Sequence, residues 1–413
     1  MRASIAQVAL ASLGMIACSS TRGPSPTTDA ATTTDSGVGP TATVRQHVAV
    51  GGDIYVCSYW AAPPAGTFLT GVSHAATAGT HHTLVFRTDL AAIPDGDPGA
   101  VDCIASPANP MAHSRGEIYG SQARAGSFAF PAGVGLPLAA GEVLLLQVHF
   151  VNASAQDIDA RADVTFSTVT QGISTQAGVF FYEDPFIDIP AGAAGQASMR
   201  CIVPNDITIL SVSSYGHARL QNLSAYIDAP SNPPAARPFF TSLGAANPLP
   251  IQASIPISAG SHVRVACAYQ NEQGASDIFE GLDYRGDEMC VLSGTYYPVM
   301  SVAAESCALT PDEFGTGTST CSQALACAVA CPSATTPPAD FGLLGTPQVD
   351  PCWQKCVAAS CSATSALLFA LERCSQANCS TACAAPASAD CTTCQAAMCP
   401  SETSGCASDV CGG

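Results

Sequence analysis

Cysteine crowds the end of this chain: 14 of its 21 cysteines fall between positions 321 and 411. In a reducing cytosol so many thiols would be a liability, whereas in an oxidising compartment they become cross-links that hold together a module with little core of its own. Many are spaced three or four residues apart within Ala-rich runs such as Ala324-Leu325-Ala326-Cys327-Ala328-Val329-Ala330-Cys331. That spacing puts cysteines on one face of a short helix, from which they can be stapled to a neighbouring helix. Zinc is the alternative, because Cys391-Thr392-Thr393-Cys394 has a zinc-like spacing. The even count and the oxidising compartment favour disulfides, but spacing does not give their connectivity. Residues 309–413 are read as this Cys-rich, helical module.

The other terminus agrees with export. Arg2 precedes an apolar stretch from about Ile5 to Ile16, too short to span a bilayer and of signal-peptide length. Met15-Ile16-Ala17-Cys18 resembles a bacterial lipobox, which makes residues 1–18 a lipoprotein signal and Cys18 the lipidated residue, with an ordinary secretory signal as the alternative. Residues 19–44 are rich in Ser, Thr, Pro, Ala and Gly and poor in large apolar side chains. Such a segment buries too little surface to offset its ordering and reads as a flexible tether. The expected location is the bacterial cell envelope, outside the cytoplasm, with the membrane reached through the lipid. With 14 basic against 32 acidic residues, a net charge of −18, nucleic acid is excluded as a partner on electrostatic grounds.

Between the two ends, residues 45–308 have one texture. Short apolar or alternating runs, among them Thr83-Leu84-Val85-Phe86, Val143 to Phe150 and Val263 to Tyr269, are separated by Gly, Pro, Asn and Asp. Strands at this spacing predict an all-β protein. The length suits two tandem antiparallel β-sandwiches of jelly-roll type, over 45–170 and 171–308.

Eight histidines are spread over 413 residues, and two of them, His81 and His82, are adjacent. In a regular strand they would point to opposite faces, so joint ligation of one ion needs a bend there, which Gly79-Thr80 could supply. His149 follows in the run ending Gln147-Val148-His149-Phe150, on the strand face that carries Leu145 and Gln147. The ordered set is similar to the copper type II, ascorbate-dependent monooxygenases, the family of peptidylglycine α-hydroxylating monooxygenase and dopamine β-monooxygenase. Tyr55-Val56-Cys57 resembles the family's early Tyr-x-Cys strand, and Thr80-His81-His82-Thr83 its double-histidine segment. Pro131-Ala132-Gly133-Val134-Gly135 and Gln147-Val148-His149-Phe150 look like its Pro-x-Gly-Val-Gly and Gln-Val-His-Tyr pair, and Asp287-Glu288-Met289-Cys290 its Asp-Glu-Met-Cys.

The resemblance implies two coppers facing each other across a solvent-filled cleft. His81, His82 and His149 match the electron-transfer site; His217 and Met289 match the oxygen-binding site, whose thioether favours Cu(I). It also implies ascorbate or a similar reductant as co-substrate, a small-molecule or peptide substrate, and the disulfides Cys57–Cys103, Cys201–Cys307 and Cys267–Cys290. The chain departs from the pattern at Tyr215, which stands where the family has the first histidine of His-x-His. As phenolate Tyr215 would be a hard ligand favouring Cu(II), or it could point away and leave His217 and Met289 as a two-ligand site. Ser213, Val291 and Ser293 stand where the peptide-amidating enzyme holds its substrate's carboxylate. No bidentate clamp can be built from them, which disfavours a peptidylglycine.

Overall fold

The computed structural model describes residues 38–411 except 64–65, 95–99, 104–105, 107–109, 122, 185, 231–233, 245–250, 273, 282–285, 308–316, 332–349 and 386. The signal segment, Cys18 and the tether up to residue 37 lie outside the described residues. Among the described residues no helix is long and apolar enough to cross a membrane.

The first sandwich is built from β1 (Val38–Val48), β2 (Asp53–Ala61), β3 (Thr67–Ala76), β4 (Thr80–Thr88), β5 (Val101–Asp102), β6 (Ser114–Ser121), β7 (Ala125–Ala129), β8 (Val134–Leu138), β9 (Val143–Val151), β10 (Ile158–Val169) and β11 (Thr175–Gln176). One sheet runs β1-β10-β3-β8-β11, with β7 also paired to β3, and the other runs β5-β2-β9-β4-β6. The second sandwich comprises β12 (Gly178–Glu183), β13 (Asp188–Ile189), β14 (Ala194–Ile202), β15 (Ile207–Tyr215), β16 (Leu220–Asp228), β17 (Phe240–Leu243), β18 (Ile251–Ile257), β19 (His262–Gln270), β20 (Ile278–Phe279) and β21 (Val291–Tyr297). Its sheets are β12-β21-β15-β18 and β14-β19-β16-β17, with a small ribbon β13-β20. Pairing is antiparallel in all the named ladders but the short β11–β8 one.

Alternation explains the cores. In β10, Ala160, Ala162, Val164 and Phe166 point inward, and in β19, Val263, Val265, Cys267 and Tyr269 do. A buried Phe or Val at such a position contributes about 1.5–3 kcal/mol. Strand β9 is buried on both faces: Leu144, Leu146, Val148 and Phe150 enter the sandwich core, while Leu145 faces the second sandwich.

Two expected boundaries move. Residues 38–44 are not tether, because β1 pairs with β10 from Val38 onward. Pro40 is tolerated there because β1 is an edge strand, beside a register shift. The division set at 170 falls early, since β11 still pairs with β8 and Ala177 still belongs to the first core.

The three disulfides expected in the sandwiches form: Cys57–Cys103, Cys201–Cys307 and Cys267–Cys290. After α1 (Val302–Ser306) comes the Cys-rich module, with α2 (Cys321–Val329), α3 (Pro351–Ala358), α4 (Ser362–Cys379), α5 (Ala389–Met398) and α6 (Pro400–Ser408). Cys327 of α2 and Cys331, just past its end, bond to Cys356 and Cys352, one turn apart on α3. This is the helix-to-helix staple expected from their spacing. Cys391 and Cys394 bond to Cys383 and Cys379, so the zinc-like pair is spent in disulfides. Cys321–Cys406, Cys361–Cys411 and Cys374–Cys399 complete the set. Ten bridges in all fit an oxidising compartment.

The module is docked on the second sandwich. Phe186, from the loop between β12 and β13, is fully buried against Trp353 of α3 and Phe369 of α4. The buried Gln354 Oε1 accepts hydrogen bonds from the backbone N–H groups of Ile187 (3.2 Å) and Glu280 (3.1 Å). Gln354→Leu leaves those two donors unsatisfied, and an orphaned buried group costs about 1–3 kcal/mol. The variant is expected to unfold at a correspondingly lower urea concentration; an unchanged midpoint would show that the docking adds no stability.

Candidate metal centre

Strand β4 begins with an irregularity that brings two adjacent histidines to one side. Thr80 pairs with Phe150 but His82 pairs with His149, so the register shifts by one residue at His81. A β-bulge of this kind re-aims side chains that a regular strand would send to opposite faces. Gly79 precedes it at φ +88°, a conformation costly for other residues, and its carbonyl accepts from Val151 N–H at 2.7 Å.

His82 and His149 are directly opposite each other on β4 and β9 and are 1% and 7% exposed, while His81 is at the surface. One ligand nitrogen from each of the three lies within 4.8 Å of the others. One nitrogen of each buried ring is held from outside. His82 Nε2 is 3.1 Å from Gln147 Oε1, and His149 Nε2 is 2.6 Å from Asp53 Oδ1. An amide or carboxylate oxygen can only accept, so in the neutral rings the proton sits on Nε2 and the lone pair on Nδ1. His82 Nδ1 is 3.3 Å from His81 Nδ1, and His149 Nδ1 is buried with no hydrogen-bond partner. A separation of 3.3 Å would let both nitrogens reach one ion.

Burial disfavours the charged form of the two inner rings. Burial lowers the pKa of His82 to about 3, against the opposing hydrogen bond from Gln147, with the neighbouring imidazoles adding to the depression. Burial also lowers that of His149, with Asp53 opposing. Tyr55 stacks on His149 at 3.9 Å between ring centroids, and the Gln147 amide is anchored on Met111 Sδ at 3.0 Å. The donor set of three imidazoles fits a transition-metal ion; by itself it suits copper and zinc alike. Asp53 and Gln147, which orient the ligands, were not foreseen. Gln147 was visible as a face-mate of His149, whereas only the β2–β9 register brings Asp53 near.

The second set of candidates comes from the second sandwich. His217 follows β15 and Met289 precedes β21, each just beyond the end of the β15–β21 ladder at Tyr215 and Val291. Glu288 fixes this corner, its carboxylate accepting from the backbone N–H of His217 (2.9 Å) and Arg219 (2.5 Å). His217 Nδ1 donates to the Asp287 carbonyl at 3.1 Å, which directs Nε2 to any other partner. The Met289 carbonyl accepts from Tyr269 OH at 3.0 Å, and the neighbouring Cys290 is tied to Cys267.

Met289, 6% exposed, belongs with Leu84, Phe86, Leu145, Phe181 and Val291 to an apolar cluster shared by the two sandwiches. Tyr215 packs against it with its ring 6.5 Å from that of Phe86. Alternation explains this, since Ser213 and Tyr215 share a strand face and Ser213 reaches Glu117 of the first sandwich at 3.2 Å. Nearby, burial raises the carboxyls of Glu183 and Asp184 to about 8 and holds that of Glu280 well above the usual carboxylate range.

No family model matches the chain, and no curated protein matches it. Among solved structures, the crystal structure of the infectious bursal disease virus VP2 subviral particle is 10% identical at a TM-score of 0.15, covering 63% of this chain and 76% of that one. The structure of the infectious bursal disease virus Gt strain is 10% identical at 0.12, covering 63% and 75%. At such scores neither neighbour bears on this chain's fold or chemistry.

Proposed function

We propose that this is an exported copper protein that hydroxylates a C–H bond with dioxygen and an external reductant such as ascorbate. The observation that carries the copper half of this reading is the convergence of the His81, His82 and His149 nitrogens, with His149 Nδ1 buried and lacking a hydrogen-bond partner. Copper at such a site supplies one-electron redox chemistry. The chain's own part is to fix the imidazoles through Asp53 and Gln147, so that neither ring must turn to receive the ion. His217 and Met289, one nitrogen and one sulfur from just beyond the paired ends of β15 and β21, would hold the second copper.

The packing of Tyr215 and Met289 supports a second reading, a copper binder whose oxygen site has been lost. A cluster of apolar side chains around the thioether leaves less room for substrate than an open cleft does. The two readings separate on copper stoichiometry of the reconstituted full chain, together with X-ray absorption of the reduced form. Two coppers with a sulfur ligand, and oxygen uptake that needs reductant, support the monooxygenase. One copper with nitrogen ligands only supports the binder, and no tight copper overturns both.

A further inference from the structure

The two sandwiches bound a concavity, along β6 on one side and β15 on the other, of about 170 Å3. That is near the size of an engineered protein cavity that takes up benzene. Part of its lining is exposed, Ala125 and Ser127 of β7 and Gln252 of β18, so it opens to solvent there. Most of the rest is buried, with Glu117 of β6 and Ser213 of β15 meeting inside it.

Glu117 is the group that needs an explanation. It is 3% exposed, its carboxylate accepts a hydrogen bond from Ser213 Oγ at 3.2 Å, and none of the described lining residues is Lys, Arg or His. Burial alone pushes its pKa up to about 8, against the pull of that hydrogen bond. An uncompensated buried carboxylate costs several kcal/mol, a cost that an apolar side chain facing Phe86 across the β4–β6 pair would avoid.

We propose that this cavity binds a small organic cation, a primary ammonium carried on a short apolar tail, with the Glu117 carboxylate as its counter-ion. The ammonium's donors are met by the carboxylate and the Ser213 hydroxyl, and the tail lies along Ile118 and Phe128. The pair gains from its low-dielectric surroundings, which also make the site discriminate by charge: a neutral ligand of equal shape lacks the attraction, and an anion is repelled. The assignment is independent of copper, since none of the five candidate metal ligands lines the cavity.

The test is calorimetric titration of the full chain in an amine-free buffer at pH 8, with n-butylammonium as probe and n-butanol as its neutral match. Saturable one-to-one binding of the ammonium is expected, with butanol at least tenfold weaker. Glu117→Gln, and separately Ser127→Trp, which plugs the exposed mouth while leaving Glu117 in place, should each weaken ammonium binding at least tenfold with copper content unchanged. Absence of saturable binding, equal binding of butanol, or undiminished binding by Glu117→Gln overturns the proposal.

Discussion

His149→Ala is expected to lower the copper affinity of the first sandwich by about a hundredfold or more, because it removes one of three converging nitrogens. The loss should exceed that of Asp53→Asn, which keeps all three ligands but weakens the partner that orients His149 and raises its basicity; changes of that kind cost about 10–100-fold. The comparison is informative because the Asp53 side chain is 65% exposed, so its replacement leaves the cores untouched. Circular dichroism of both variants, read beside a copper competition titration, separates ligand loss from misfolding. If His149→Ala binds copper as tightly as the parent, the three-histidine site is wrong.

The second large effect is on stability against pH. Glu117 ionises near 8 in the folded protein, against about 4.5 when exposed. Between those values the unfolded chain has released a proton that the folded chain retains, so folding takes up a proton and stability falls as pH rises. Below about 4.5 both states are protonated and the group contributes no slope. Across the window the loss is at most about 5 kcal/mol, at 1.36 kcal/mol per unit. Glu183 and Asp184, also raised to about 8, act in the same direction. Urea unfolding should therefore show a higher midpoint at pH 5.5 than at 8.5. Glu117→Gln should raise the midpoint at 8.5 while leaving it near the parent's at 5. Superimposable curves for parent and variant would mean that Glu117 is not held protonated.

Much of this was written into local sequence. Val143 to Phe150 is apolar on both faces, which marks a strand covered from two sides, and the alternation of Val263 to Tyr269 marks one covered from one side. Cys327 and Cys331 announced a helix face by their spacing. The adjacent histidines required a bend, and the bulge at His81 supplies it. What local sequence could not give is anything set by register or docking. Asp53 meets His149 only because β2 pairs with β9, and Tyr215 turns to Phe86 only because two sandwiches are pressed together. Gly39 and Pro40 hid the start of β1, since such residues argue for a linker wherever an edge strand is not already known. The tail's connectivity was likewise open, as seven pairs can be drawn in many ways from fourteen cysteines.

The seat of Phe186 against Trp353 and Phe369 bears on how the chain is made. Synthesis and export run from the N-terminus, so the second sandwich emerges while the helices that cover Phe186, and the Gln354 carboxamide that receives Ile187 and Glu280, are still to come. Until α3 and α4 dock, the second sandwich leaves an aromatic ring and two backbone amides open to water; docking of those helices is thus what closes the patch.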